Sequence, residues 1–308
     1  MRRGLLGIED LTREEIEAIL ERARDFQPPH RQPFPRLETL RGKVVVNLFF
    51  EPSTRTRTSF EIAAKRLGAD AVSITAAGSS LSKGESLVDT LNTLAAMRPD
   101  AIVMRHASSG APHFLARHLD IPIINAGDGT HEHPTQALLD ARTILDRKPA
   151  LSGLRVVIIG DIVHSRVARS NIHLLSKFGA DIVLCGPAPL VPPEMAAMAP
   201  GVRIEYDMRR AIEGADVIMM LRVQLERQHE TAFPKAEYFS FYGLTLDHFE
   251  LAKPDVIVMH PGPINRGREI SSEVADSQRS VILNQVENGV AVRMAVLERI
   301  LGEPWEDC

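Results

Sequence analysis

Short apolar runs rich in β-branched residues alternate with longer amphipathic stretches along almost the whole chain, and this alternation most constrains the fold. Runs read as strands at Lys43–Phe50, Asp70–Thr75, Asp100–Met104 and Ile121–Asn125, and again at Arg155–Gly160, Asp181–Cys185, Val202–Tyr206, Asp216–Met220 and Asp255–Met259. Stretches of helical period separate most of them, at Ser53–Leu67, Glu85–Met97, Pro134–Asp146 and Arg166–Phe178. Thr12 and Glu15 stand at capping-box spacing ahead of a further helix reaching Phe26. Repeated strand–helix units return each strand parallel to the last. The expectation is an α/β protein with two doubly wound domains, their mostly parallel sheets covered by helices on both faces.

The chain has 308 residues, and a prior of about 150 residues per domain gives two. The segment Arg147-Lys-Pro-Ala-Leu-Ser-Gly153 breaks the pattern with Pro and Gly and reads as the junction. The domains are then 1–146 and 150–285, with the C-terminal stretch 286–308 and its helix Val286–Leu301 able to pack back on the first.

A composition of 44% hydrophobic and 25% charged residues is that of an ordinary soluble protein. The net charge of −4 offers no general attraction to nucleic acid or to an anionic membrane, so neither is expected as a partner. An anionic ligand must be held by local arginines. Seven of the 36 basic residues are lysines, which makes each lysine more informative. Cys185 and Cys308 stand far apart without a CxxC spacing, which suits a reducing cytosol. The opening MRRGLLGIEDLTREE has too short an apolar run for a signal peptide, and no run approaches the ~20 apolar residues of a membrane span. A cytoplasmic location is expected.

In open α/β sheets ligands bind at the carboxyl ends of strands, and the unusual residues fall there. Phe50-Glu-Pro-Ser-Thr-Arg-Thr-Arg-Thr-Ser-Phe-Glu61 follows a strand and opens a helix. Hydroxyls of Ser53, Thr54 and Thr56, first-turn amides and the Arg55 fork make a phosphate cradle without the glycines of a P-loop. Arg57 reads as a structural ion-pair former. Arg105 ends a buried strand, where a charge needs a partner or a ligand. In Ala126-Gly-Asp-Gly-Thr-His-Glu-His-Pro-Thr-Gln-Ala137 a Gly-Asp-Gly turn leads to His133 just before Pro134, with Gln136 one turn on. His133 can offer a ring N–H to a carbonyl oxygen. His131-x-His133 could also hold a metal, but no carboxylate or further histidine pattern supplies a third ligand, so no metal is expected.

Gly78-Ser-Ser-Leu-Ser-Lys-Gly-Glu-Ser86 reads alone as a mobile polar loop. In the second half, Gly160-Asp-Ile-Val-His-Ser-Arg166 superficially suggests a dinucleotide site, but the GxGxxG fingerprint is missing. Arg222 and Gln224 lie just past a strand, and His260-Pro-Gly-Pro263 makes a rigid turn around Gly262. One phosphate cradle, a histidine and arginine for a carbonyl, and separate arginines for carboxylates fit acyl-type transfer from a phosphorylated donor to an anionic acceptor.

At these positions the chain resembles the aspartate/ornithine carbamoyltransferase family over essentially its whole length. Ser-Thr-Arg-Thr-Arg and His-Pro-Thr-Gln are the family's marks for carbamoyl phosphate. The ornithine type typically carries His-Cys-Leu-Pro late in the chain, where this chain has His260-Pro-Gly-Pro263 as in the aspartate type. The loop from Ser80 to Glu85 and the run Arg222-Val-Gln224 resemble the aspartate type too.

The resemblance implies that Ser53, Thr54, Arg55, Thr56 and Arg105 hold the phosphate. It implies that Thr56, Arg105 and His133 polarise the carbamoyl carbonyl, and that Gln136 takes the carbamoyl amide with backbone help around Gly262 and Pro263. It gives Arg166, Arg222 and Gln224 to L-aspartate. It has Ser80 and Lys83 reach in from a neighbouring subunit, Ser80 to carbamoyl phosphate and Lys83 to aspartate. A homotrimer with shared active sites, no cofactor and a place early in pyrimidine biosynthesis are implied as well.

The Ser80–Lys83 loop is one residue shorter than in the enterobacterial type, and Gly262 replaces a Leu familiar there. The Pro-Gly-Pro-Ile-Asn-Arg-Gly form resembles bacterial enzymes that assemble with a dihydroorotase or a dihydroorotase-like partner, and the chain carries no zinc-binding regulatory segment. Two rival readings are another amine acceptor such as ornithine and a non-catalytic scaffold. The first expects acids where Arg166, Arg222 and Lys83 stand. The second expects damage at Arg55, Arg105, His133 or Lys83, and all are present.

Overall fold

The computed structural model describes residues 4–28, 32–75, 87–223 and 235–303. The chain forms two compact units, one of residues 1–138 with 287–308 and the other of 139–286.

The first unit is built on strands β1 (Gly4–Leu5), β2 (Val44–Phe49), β3 (Asp70–Thr75), β4 (Ala101–His106) and β5 (Ile123–Asp128). All pair in parallel, in the order β1-β5-β4-β2-β3. Helices α1 (Arg13–Phe26), α2 (Thr54–Arg66), α3 (Leu87–Ala96) and α4 (Ala111–His118) lie between the strands in sequence, and α5 (Pro134–Leu145) follows β5. Thr12 caps α1 by accepting from the Glu15 amide at 3.2 Å, while the Glu15 carboxylate accepts from the Thr12 amide at 2.8 Å, the expected capping box. Val46, Leu48, Ile102, Met104 and Ile123 of the sheet pack with Leu91, Leu94 and Leu115 of the helices. Each such buried side chain contributes roughly 1.5–3 kcal/mol.

The two-residue strand β1 has no local sequence signal. It forms because Gly4, at φ +139°, lets the chain press against Ile123; a Cβ there would lie 2.0 Å from the Ile123 carbonyl oxygen.

The second unit carries β6 (Arg155–Ile159), β7 (Asp181–Cys185), β8 (Val202–Glu205), β9 (Val217–Met220) and β10 (Ile257–Met259), again all parallel, in the order β10-β9-β6-β7-β8. Its helices are α6 (Arg166–Lys177), α7 (Met208–Ile212), α8 (Lys235–Tyr242) and α9 (Ser272–Ala275). The long helix α10 (Ile282–Leu301) ends the described chain. Beyond its first turns, α10 belongs to the first unit. There Arg293 donates to the Ser59 hydroxyl of α2 at 2.9 Å and lies over the Phe60 ring at 5.0 Å.

Cys185 is buried, and burial first, with nearby acids, pushes its thiol up to about 12. Among the described residues no helix is long and apolar enough to cross a membrane.

Candidate active site

Strand order decides which loops meet. In the first unit the chain moves from β2 outward to β3, then returns to place β4 on the other side of β2. Loops after β2 and β4 therefore part in opposite directions, leaving a crevice at their carboxyl ends. The segment Ser53–Thr56 follows β2, and Arg105 lies on β4 directly opposite Phe49. The Phe50 amide donates to the Arg105 carbonyl at 2.9 Å. The cradle and the arginine, about 50 residues apart in sequence, are thus neighbours at one point of the sheet.

The cradle breaks a helix rule. Ser53 is the N-cap of α2 but its side chain makes no capping bond, and the first turn carries no acid. Arg55 stands there instead, exposed, at the end of the helix dipole that disfavours cations. Uncapped amides and a misplaced arginine are what an anionic ligand would satisfy. Thr56 is buried, and Ser53 and Thr54 are partly and fully exposed. Arg57 makes no ion pair among the described residues, and its partly buried side chain lies beside the cradle.

Arg105 has the partner its burial demands. Its Nε lies 3.0 Å from Glu51 Oε2, and its Nη1 donates to the Ala126 carbonyl at 3.2 Å. Glu51 has no signal in the sequence, where an acid beside Pro52 reads as loop surface.

The approach to His133 differs from the expected tight Gly-Asp-Gly turn. β5 runs on through Gly127 and Asp128, because it carries one extra residue against β4: Met104 faces Asn125, but His106 faces Asp128. Such a bulge re-aims a strand end beside a site, and here it lies opposite Arg105. Three buried polar side chains hold the segment from Asn125 to His133. Asn125 donates to Asp128 and to the Leu6 carbonyl, both at 2.8 Å, and accepts from the Gly127 amide. Asp128 accepts from the Gly110 and Glu132 amides at 2.7 and 3.1 Å. Glu132 accepts from the Ile8 and Glu9 amides. Burial alone would raise the Asp128 carboxyl, but bonds from His131, Asn125 and Gly110 hold it below its ordinary value. His133, buried, stands immediately before α5, and its carbonyl accepts from the amides of Gln136 and Ala137. Gln136 is buried as well.

The second unit repeats the arrangement. The chain moves from β6 out through β7 and β8, and β9 returns to the other side of β6. The reversal lies between β6 and β9, where the Leu221 amide donates to the Ile159 carbonyl at 2.8 Å. Gly160 is required there: at φ +138° a Cβ would lie 2.8 Å from the Leu221 carbonyl oxygen. Arg166, buried, opens α6 behind the N-cap Ser165, and Arg222 follows β9 by two residues.

β10 lies beside β9 and leads into His260-Pro-Gly-Pro263. The Gly262 amide donates to His260 Nδ1 at 2.8 Å, so the ring proton sits on Nε2, 3.2 Å from Glu269. Glu269 also accepts from the Asn265 amide at 2.6 Å, and the His260 amide donates to Gln285 at 2.9 Å. A buried histidine and acid thus shape the turn at Gly262 and Pro263. Ser80, Lys83 and Gln224 lie outside the described residues.

The chain thus has two parallel-sheet units, each with arginines at its strand-order reversal. Family models match both halves: the aspartate/ornithine carbamoyltransferase carbamoyl-P binding domain over residues 3–146 and the Asp/Orn binding domain over 152–300. The chain belongs to the aspartate/ornithine carbamoyltransferase family.

It is 78% identical over 299 residues to the aspartate carbamoyltransferase catalytic subunit of Solibacter usitatus (strain Ellin6076), covering 97% of this chain and 99% of that one. Among solved structures it resembles the ornithine carbamoyltransferase from Pyrococcus furiosus, with TM-score 0.88, 34% identity and 98% of each chain covered. It also resembles the aspartate transcarbamoylase from Trypanosoma cruzi in complex with carbamoyl phosphate and aspartate, with TM-score 0.83, 31% identity, and 97% of this chain and 95% of that one covered.

Proposed function

We propose that the protein transfers the carbamoyl group of carbamoyl phosphate to the amine of L-aspartate, giving N-carbamoyl-L-aspartate and phosphate, an early step of pyrimidine biosynthesis in the cytoplasm. The observation that carries this reading is the pair Arg166 and Arg222 at the second unit's strand reversal. An acceptor with two carboxylates suits two guanidinium forks. A cationic acceptor such as ornithine does not, and the acid nearby in sequence, Asp161, already lies 2.8 Å from His164 Nδ1. The 78% identity to an aspartate carbamoyltransferase catalytic subunit supports the same choice.

In this reading residues 1–146 are the carbamoyl phosphate domain and residues 150–285 the aspartate domain. Ser53, Thr54, Arg55, Thr56 and Arg105 bind the phosphate, and Gln136 binds the carbamoyl amide. The neutral amine of aspartate attacks the carbamoyl carbon. Negative charge gathers on the carbonyl oxygen, where Thr56, Arg105 and His133 form an oxyanion hole; losing one such donor typically costs ~10²–10³ in turnover. The bond from carbon to the phosphate oxygen then breaks, and the leaving phosphate takes the amine proton. No side-chain base, metal or organic cofactor takes part. Holding two mutually repelling anions together supplies much of the acceleration.

The enzyme is further proposed to work as a homotrimer in which Ser80 and Lys83 complete a neighbour's site, with a dihydroorotase or dihydroorotase-like protein as a partner. Assay of the purified protein with carbamoyl phosphate and either aspartate or ornithine tests the acceptor. Carbamoyl-aspartate should form; preferential carbamoylation of ornithine would reverse the assignment.

A further inference from the structure

Three side chains that the proposed transfer does not use converge on one point of the first unit. His113 lies in the first turn of α4, Asp128 ends β5, and His131 sits in the turn after it. One potential ligand atom from each lies within 4.8 Å of the other two. The two imidazole rings meet edge to face at 5.3 Å, and His131 Nδ1 is 3.1 Å from Asp128 Oδ2.

Loop architecture accounts for only part of this cluster. Asp128 organises the turn through the amides of Gly110 and Glu132, and His131 adds to it. His113 does not: its Nδ1 is buried and has no hydrogen-bond partner among the described residues. A buried ring nitrogen left unmatched costs stability. An unmatched ring nitrogen, on a side chain that shares one small cluster with a second imidazole and a buried carboxylate, is suited to a cation.

We propose that His113, Asp128 and His131 form a binding site for a divalent transition-metal ion, with zinc the best fit. Two imidazoles and one carboxylate are a nitrogen-rich set that suits zinc, cobalt or nickel; magnesium and calcium ask for oxygen ligands. Bonds of about 2.0–2.1 Å in a tetrahedral site place ligand atoms about 3.3–3.4 Å apart. The His131–Asp128 separation of 3.1 Å already approximates one such edge, and a small rotation of the imidazoles closes the others. The ion takes the place of the proton now shared between His131 and Asp128.

Asn125, with the Gly110 and Glu132 amides, holds the carboxylate from behind, as outer-shell partners do in metal sites. The His131 side chain is 36% exposed, so the fourth position is open to water and the ion has a route in. A bound ion would tie the start of α4 to the turn that delivers His133. Its role is structural, and the site stands or falls independently of the proposed transferase reaction.

The test is metal binding by the whole protein after removal of metal with a chelator. Calorimetric titration with zinc chloride should show one ion per chain, and cobalt should give the visible absorption of a tetrahedral nitrogen–oxygen site. His113→Gln and His131→Asn should each weaken binding at least tenfold and abolish the cobalt signal, with circular dichroism confirming that both variants fold. His118→Ala, on the same helix but exposed, should bind as the parent does. Zinc should also raise the melting temperature of the parent and not that of His113→Gln. The proposal is overturned if the parent takes up no ion, or if His113→Gln binds zinc and cobalt as tightly as the parent.

Discussion

Arg22 and Glu298 lie 276 residues apart and meet as a fork, with Arg22 Nε donating to Oε2 at 2.6 Å and Nη2 to Oε1 at 2.9 Å. The pair joins α1 to α10 within the first unit. The Glu298 side chain is only 7% exposed, whereas that of Arg22 is 35% exposed and also lies over the Phe26 ring. Arg22→Ala would leave a nearly buried carboxylate without its charge partner. We expect a loss of about 2 kcal/mol in the stability of the first unit, with Glu298→Gln losing less. Urea denaturation followed by circular dichroism checks this, and an unmoved midpoint in Arg22→Ala would mean that the pair contributes no more than a surface contact.

Arg55 is exposed at the start of α2 and touches no core. Arg55→Ala should leave the melting temperature unchanged and weaken carbamoyl phosphate binding by roughly 10- to 100-fold, the worth of a charged hydrogen bond. Calorimetry of carbamoyl phosphate binding decides it. Parental affinity in the variant would remove Arg55 from the cradle.

Arg222→Ala separates the two substrates. The Michaelis constant for aspartate should rise at least tenfold and turnover should fall, with carbamoyl phosphate affinity little changed, since a bidentate carboxylate contact is lost from the acceptor alone. Equal damage to both substrates would mean instead that Arg222 holds its own unit together.

Sharing of sites between subunits can be tested by mixing. Lys83→Ala and Arg55→Ala chains should each be nearly inactive. Co-refolded, a mixed ring should contain about one site in three with both residues intact, by cyclic geometry, and activity should return. Mixed trimers verified by mass spectrometry yet as inactive as their parents would place Lys83 within its own chain's site or outside catalysis. A Lys83→Ala chain active before any mixing would make it a solvated surface lysine.

Much of this architecture is legible in the order of residues alone. All nine expected strands form; the inner ones read clearly because apolar β-branched runs signal burial on both faces, and the edge strand β3 forms although none of its residues is buried. The helix α4 is not legible: it has eight residues, and its N-cap is Gly110 in the left-handed region, not a Ser, Thr, Asp or Asn. Strand order is also beyond reach. Strand–helix alternation dictates parallel pairing but not that β4 returns to the far side of β2, which is what sets Arg105 beside Ser53–Thr56.

The buried acids are hidden for a different reason. Asp128 and Glu132 look like turn residues in sequence, and only the distant amides of Gly110, Ile8 and Glu9 reveal them as internal fasteners. The residues proposed to join His131 in holding a metal are likewise hidden: they are not His133, two residues on, but Asp128 and, 18 residues upstream, His113 on a helix with no sequence signal of its own.

The helix that carries the cradle leans on the last helix of the chain, through Arg293 against Ser59 and Phe60. Ribosomes deliver residues in order, at about 5–20 per second. Every residue of the second unit has therefore been synthesised before most of α10, which the first unit needs. The part made first is the part finished last: α2 is synthesised early and goes without its Arg293 brace through more than 200 further residues of synthesis.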